Sequence, residues 1–113
     1  MNDKHRASYL TVTRQYNLNA ACQALRPFGY GTYHVGSSLE RADYHDVDLR
    51  CILEDDEYGR LIGGRDSEKR LAFLNAAISE WLTARTGLPI DFQFQQQTDA
   101  NEKFKGRRSH VGH

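Results

Sequence analysis

The stretch from His34 to Leu53 reads HVGSSLERADYHDVDLRCIL. It opens on the end of an aromatic and β-branched run, Tyr30 to Val35, whose composition predicts a first strand. Gly36 ends that run. A second strand is expected over Asp46 to Leu53. A period of two puts Asp46, Asp48 and Arg50 on one face and Val47, Leu49 and Cys51 on the other. Two carboxylates two residues apart on a strand have Cα atoms about 6–7 Å apart. They repel unless a positive group lies between them, and without one a carboxylate titrates upward.

Working outward, the clearest element is a helix over Ser67 to Thr86. Leu71, Leu74, Ile78, Trp81, Leu82 and Arg85 fall on one side, and the apolar members of that stripe read as core. Asp66 or Ser67 suits its N-cap, and Gly87 followed by Pro89 suits its end. Leu18, Ala21, Cys22 and Leu25 predict a second helix, stopped by Pro27 and Gly29. The β-branched Thr11, Val12 and Thr13 leave its start open between helix and strand. The stretch EDDEYGRLIGGRD reads as a loop with a helical turn at Glu57 to Ile62, and Ser38 to Asp43 as another short turn. PIDFQFQ alternates as a third strand, with Ile90, Phe92 and Phe94 on one face and Asp91, Gln93 and Gln95 on the other.

The sequence has 113 residues, which argues for one domain over 1–113 with a small core and loose polar ends near 1–8 and 98–113. Fifteen basic residues balance fifteen acidic ones, which disfavours a nucleic-acid binder held by global charge. The tail KFKGRR reads as a solvated basic end. No run is long and apolar enough for a membrane span, and no signal-peptide pattern opens the chain. Cys22 and Cys51 lack metal-site spacing, so a reduced, cytoplasmic protein is expected. The expected architecture is a small two-layer α/β sandwich. A mixed sheet of three or four strands carries helices on one face, with Val47, Leu49, Phe92, Ile78 and Trp81 buried.

Three features carry chemistry together. Val35-Gly36-Ser37 ends a strand. Asp46-Val47-Asp48-Leu49 begins the next, with eight residues between Ser37 and Asp46. Ile90-Asp91-Phe92 sets an acid between apolar neighbours. Taken singly, each has a structural explanation: Ser37 and Ser38 as helix-capping residues, Asp46 as a strand-entry residue, Asp48 as a surface residue. Taken together, three hard carboxylates on adjoining strands suit Mg2+ or Mn2+. A zinc site from His34, His45 and Cys51 has no supporting spacing.

The combination resembles the nucleotidyltransferase superfamily of DNA polymerase beta, in its minimal single-domain members. The resemblance covers Thr32 to Leu53 closely and Ile90 to Phe94 more loosely. It implies a Mg2+-dependent transfer of a nucleoside monophosphate from a nucleoside triphosphate to an acceptor hydroxyl. Asp46 and Asp48 would bridge two cations, and Asp91 would ligate the one that activates the acceptor. Gly36 would let the backbone approach the triphosphate. Ser37 and Ser38, with Arg41 and Arg50, would hold phosphates. SLERAD departs from the small-Arg-Gly pattern common at that point, which leaves the alignment of Arg41 open. Arg50 has a second reading, as an ion-pair partner of Asp48 or Asp91. The implied partners are a nucleotide and an acceptor that is a small molecule or a protein, such as a toxin-like partner. The alternative is a non-catalytic nucleotide- or partner-binding module of the same fold, as an antitoxin would be.

Overall fold

A computed structural model of the chain describes residues 10–28, 31–36, 45–103 and 107–112. Helix α1 runs over Val12–Cys22 and continues as a 3-10 helix over Gln23–Phe28. The β-branched run at its start does not extend. Thr11 instead takes the N-cap position, and its hydroxyl accepts a hydrogen bond from the Arg14 amide at 3.2 Å. A capping hydroxyl satisfies an amide the helix leaves orphaned, which outweighs the weak strand preference of Val12 and Thr13. Leu18 and Cys22 face the core from α1.

Strand β1 covers Thr32–Val35 and β2 covers Val47–Leu53. Helix α2 follows over Asp55–Ile62, two turns where the sequence suggested one. Its first turn carries Asp55, Asp56 and Glu57, the acidic residues that favour a helix N-terminus. Helix α3 spans Ser67–Thr86, with the bounds its periodicity predicts. Gly87 takes the left-handed conformation at its end (φ 72°). The N-cap is Asp66, also left-handed at φ 59°, but its side chain makes no capping bond.

Strand β3 covers Ile90–Gln96, helix α4 covers Gln97–Lys103 and β4 covers Ser109–Val111. The four strands form one mixed sheet in the order β3-β2-β1-β4. β1 is antiparallel to β2 and β4, and β2 is parallel to β3. A parallel pair needs a crossover, and α2 with α3 supplies it. The C-terminal segment expected to be loose therefore contributes a helix and an edge strand. The Arg26 Nε–H, at the end of the first helical segment, donates to the Gly112 carbonyl at 3.1 Å and fastens that strand.

Polar residues on α3 account for its place against the sheet. Asn75, Ser79 and Thr83 recur every fourth residue. Their side-chain oxygens accept from the amides of Phe94, Phe92 and Ile90 at 3.0, 2.9 and 3.1 Å. Four helical residues rise about 6 Å and two strand residues about 6.6 Å, so the two repeats keep step along antiparallel elements. The ladder covers the amide edge of β3, which would otherwise be open to pairing with another chain.

That orientation corrects one expectation. Val47, Leu49 and Phe92 are fully buried, as predicted, and Ile78 packs against the core half-buried. Trp81 is 40% exposed. With one flank of α3 turned to the β3 edge, Trp81 falls on the other flank. There it lines a surface groove with Ala20, Ala21 and Ala24 of the first helical segment, and the Arg85 guanidinium lies 4.6 Å over its ring. A second correction concerns the layers. Leu18, Cys22 and Leu82 pack with the buried β2 and β3 residues in the main core. Gln97 and Asn101 of α4, however, line a cavity with Ile52 and Tyr33, residues that alternate away from that core. Among the described residues, no helix is long and apolar enough to cross a membrane.

Candidate functional site

The sheet register builds the site. Val35 on β1 is the partner of Asp48 on β2, and Asp48 is the partner of Asp91 on β3. The three form one row across the sheet. The strand end carrying Gly36 and two of the three expected carboxylates therefore meet on the face opposite the main core. Neighbouring strands lie about 4.8 Å apart, and like charges directly opposite each other destabilise a sheet.

Gly36 is positioned by this row. Its φ is 76°, in the left-handed region that favours glycine, and a Cβ there would run into the Asp48 carboxylate. Glycine thus does two things: it makes the turn out of β1, and it lets the backbone close over Asp48. The Asp48 side chain keeps only 24% of its exposure, against 45% for Asp91. Burial pushes the Asp48 carboxyl above the usual aspartate value. Arg50 opposes that shift, and the charges of Asp91 and Asp46 add to it.

Arg50 is the positive group between the carboxylates. Its Nη2 lies 3.5 Å from Asp91 Oδ2 and 3.9 Å from Asp48 Oδ1. Its Nη1 donates to the main-chain carbonyls of Leu49 and Asp91 at 2.9 and 2.8 Å. The ion-pair reading of Arg50 holds with both aspartates at once. Asp46 precedes β2 as an exposed residue and acts on Asp48 through its charge. Ser37, Ser38 and Arg41 lie outside the described residues, as does the turn expected over Ser38 to Asp43.

The donor set suits a hard divalent cation in kind, since carboxylate oxygens are what Mg2+ and Mn2+ take. The close approach of Gly36 to Asp48 leaves that carboxylate beside the one of Asp91. Among the described residues, however, no group of three or more histidine, cysteine or acidic side chains is arranged to hold a metal ion. The zinc alternative is likewise without a formed site among them.

Other titratable groups read as core. Cys22 and Cys51 are buried and unpaired as free thiols, and burial raises them to about 12 and about 11. A thiol that stays protonated is a poor nucleophile. His34 is fully buried on β1, and burial, with the charge of Arg107, lowers it to about 4. Sequence reasoning missed the role of Asn75, Ser79 and Thr83. Their spacing of four was the available signal, hidden beside the stronger apolar stripe.

No family model matches this chain, and neither a curated protein nor a solved structure does.

Proposed function

We infer that the chain is a Mg2+-dependent nucleotidyltransferase that moves a nucleoside monophosphate from a nucleoside triphosphate to an acceptor hydroxyl. The observation that carries this reading is the row Val35, Asp48, Asp91, closed by Gly36 over the Asp48 carboxylate. Three segments distant in sequence, each a part of the motif, are neighbours in space. A resemblance in the sequence alone requires no such meeting.

In this reading Asp46, Asp48 and Asp91 would hold the divalent cation. When bound, that cation supplies charge neutralisation for the triphosphate and makes the acceptor hydroxyl more acidic. The protein's own residues do the rest. Gly36 presents main chain, with no side chain in the way, to the phosphates. Ser37, Ser38 and Arg41 follow it in the chain and contribute hydroxyls and a guanidinium to the same end. Asp91, more exposed than Asp48, would accept the acceptor's proton in this reading. The polar face of the sheet around Asp48 and Asp91 receives the acceptor, whether a small molecule or a toxin-like protein. A cytoplasmic location belongs to the same proposal, supported by the free, buried thiols of Cys22 and Cys51, which a reducing compartment keeps unpaired.

A second reading is favoured by a specific observation. Arg50 already neutralises the Asp48–Asp91 pair, as in a structural ion network, and that suits a non-catalytic module which binds a nucleotide or a protein partner. One assay separates the two. The protein is incubated with each labelled nucleoside triphosphate, Mg2+ or Mn2+, and candidate acceptors including itself. Pyrophosphate release that disappears in Asp48→Ala and Asp91→Ala supports the transferase. Nucleotide binding without transfer, unchanged by Asp91→Ala, supports the module. Calorimetry that finds no Mg2+-dependent nucleotide binding sinks the transferase.

A further inference from the structure

Among the described residues, the large hydrophobic side chains left exposed are Val12, Tyr16, Phe73 and Trp81, and all four lie on α1 and α3. Val12, Tyr16 and Phe73 are 88%, 72% and 71% exposed. Residues four apart share a helix face. Val12, Tyr16 and Ala20 form one such row, which Ala24 extends into the 3-10 turn. Phe73, Ala77, Trp81 and Arg85 form another, and every member of both rows is exposed. Ala20 and Ala24 line the same groove as Trp81 and Arg85, so the rows flank it. Its volume is about 440 Å3; a water occupies about 30 Å3 of liquid, so this is no packing defect. Leu18 and Leu82, on the inner sides of the two helices, are buried in the main core. The groove therefore opens away from the sheet, and away from Asp48 and Asp91.

We propose that this face is the interface of a homodimer, in which aromatic side chains of one copy seat in the alanine-floored groove of the other. Three observations select a second copy as the occupant. A two-fold interface needs one surface that carries both the projecting and the receiving parts. Here Tyr16 and Phe73 project, and Ala20 and Ala24 leave the space between. Charge also fits. Glu80 and Arg85 are both exposed on α3 and opposite in sign, so the face can pair with itself, and a formal net charge of zero gives two copies no overall repulsion to overcome. Area is the third. Two helices about 10 Å across, the longer about 30 Å in length, present about 600 Å2 in outline. Side chains that stand out from that outline add to it, toward the contribution of about 800 Å2 per copy in a stable complex. Trp, Tyr and Arg are also the residue types that carry most binding energy at interfaces. The dimer stands or falls independently of the transferase reading, because it leaves the polar face of the sheet open.

Sedimentation equilibrium of the full chain tests this. At about 100 μM, above the micromolar-to-picomolar range that interfaces of this size span, wild type is expected at twice the 13.0 kDa of one chain. Tyr16→Glu changes an exposed residue and is expected to weaken the dimer at least about thirtyfold, the weight of a hot-spot residue. Glu102→Lys, exposed on α4, should leave it unchanged. The mass of a single chain at that concentration overturns the proposal, whatever other protein the face then binds. A dimer that Tyr16→Glu leaves intact overturns it too, by placing the contact elsewhere. If Tyr16→Glu does not fold, wild type decides through Trp81, the one tryptophan of the chain. Its emission should shift to the red as a dimer dissociates on dilution; dissociation with no shift places the contact away from the groove and ends the proposal. A dimer too tight to dissociate is read by a quencher in solution, which Trp81 should resist if the groove is covered and should not resist if the contact is elsewhere.

Discussion

Asp48 and Asp91 are partners in the parallel register of β2 and β3, and one nitrogen of Arg50 reaches both carboxylates. A sheet that sets two like charges side by side is less stable than it could be. That cost makes a measurable prediction.

Asp48→Asn is expected to be more stable than wild type at pH 7. Burial raises the folded-state value of Asp48 above that of the unfolded chain, with Arg50 opposing and Asp91 and Asp46 adding. The fold therefore prefers the protonated form. The stabilising contribution is full below the ordinary aspartate value and is lost as pH rises through the raised folded value. Asparagine mimics the protonated form at every pH. Urea unfolding midpoints of the two proteins should differ at pH 7 and converge below about pH 3.5, where aspartate is protonated in both states. A variant less stable than wild type at pH 7 would show that the attraction of Arg50 outweighs burial.

Gly36→Ala should cost about 1–3 kcal/mol for the left-handed backbone alone, and more because its Cβ meets the Asp48 carboxylate. Gly64→Ala is the matched control. Its φ is 89°, and a Cβ there meets nothing within 4 Å. The difference in unfolding free energy between the two variants isolates the contact with Asp48. Equal losses would mean that Gly36 serves only the turn.

Ser79→Ala tests the ladder on the edge of β3. The Phe92 amide donates to the Ser79 hydroxyl at 2.9 Å, and Phe92 is fully buried. An amide left unsatisfied there costs about 1–3 kcal/mol. Thermal unfolding should report that loss, and hydrogen exchange should quicken at Phe92. Unchanged exchange at that amide would show that the bond contributes little.

His34 predicts an acid-labile core. Its folded value is lowered from 6.5 to about 4, chiefly by burial. The unfolded chain then binds the extra proton first, so this contribution is whole above about pH 6.5 and is lost as pH falls through about 4. At about 1.36 kcal/mol per pH unit, the full loss is about 3 kcal/mol. The pH dependence of unfolding should be flatter in His34→Leu than in wild type across that window. Parallel profiles would remove His34 as the cause.

Much of the fold was legible because its signals are local. The apolar stripe of α3, the glycine that ends it and the alternation of β3 each lie within one element. The candidate residues Asp46, Asp48 and Asp91 were legible by residue type and spacing, as was the choice between two roles for Arg50. What was not legible depends on partners far along the chain. The segment Ser109–Val111 is polar in isolation and becomes a strand because β1 offers it a free edge. Gln97–Lys103 folds as a helix beside Ile52 and Tyr33, with Ala100 buried, and no apolar period announces it. Trp81 belongs to the apolar stripe by spacing and sits at its margin, because Asn75, Ser79 and Thr83 fix how α3 is turned.

The sequence by itself determined which residues can form helices and strands, and which carboxylates share a strand face. Periodicity is a property of neighbours in the chain. Only the tertiary structure decided that Asp91 stands opposite Asp48 rather than a residue away, and that Gly36 closes over that carboxylate. Only it decided that Arg50 reaches both acids. Those relations depend on register between strands, and one step of slip would turn every side chain of β3 to the other face.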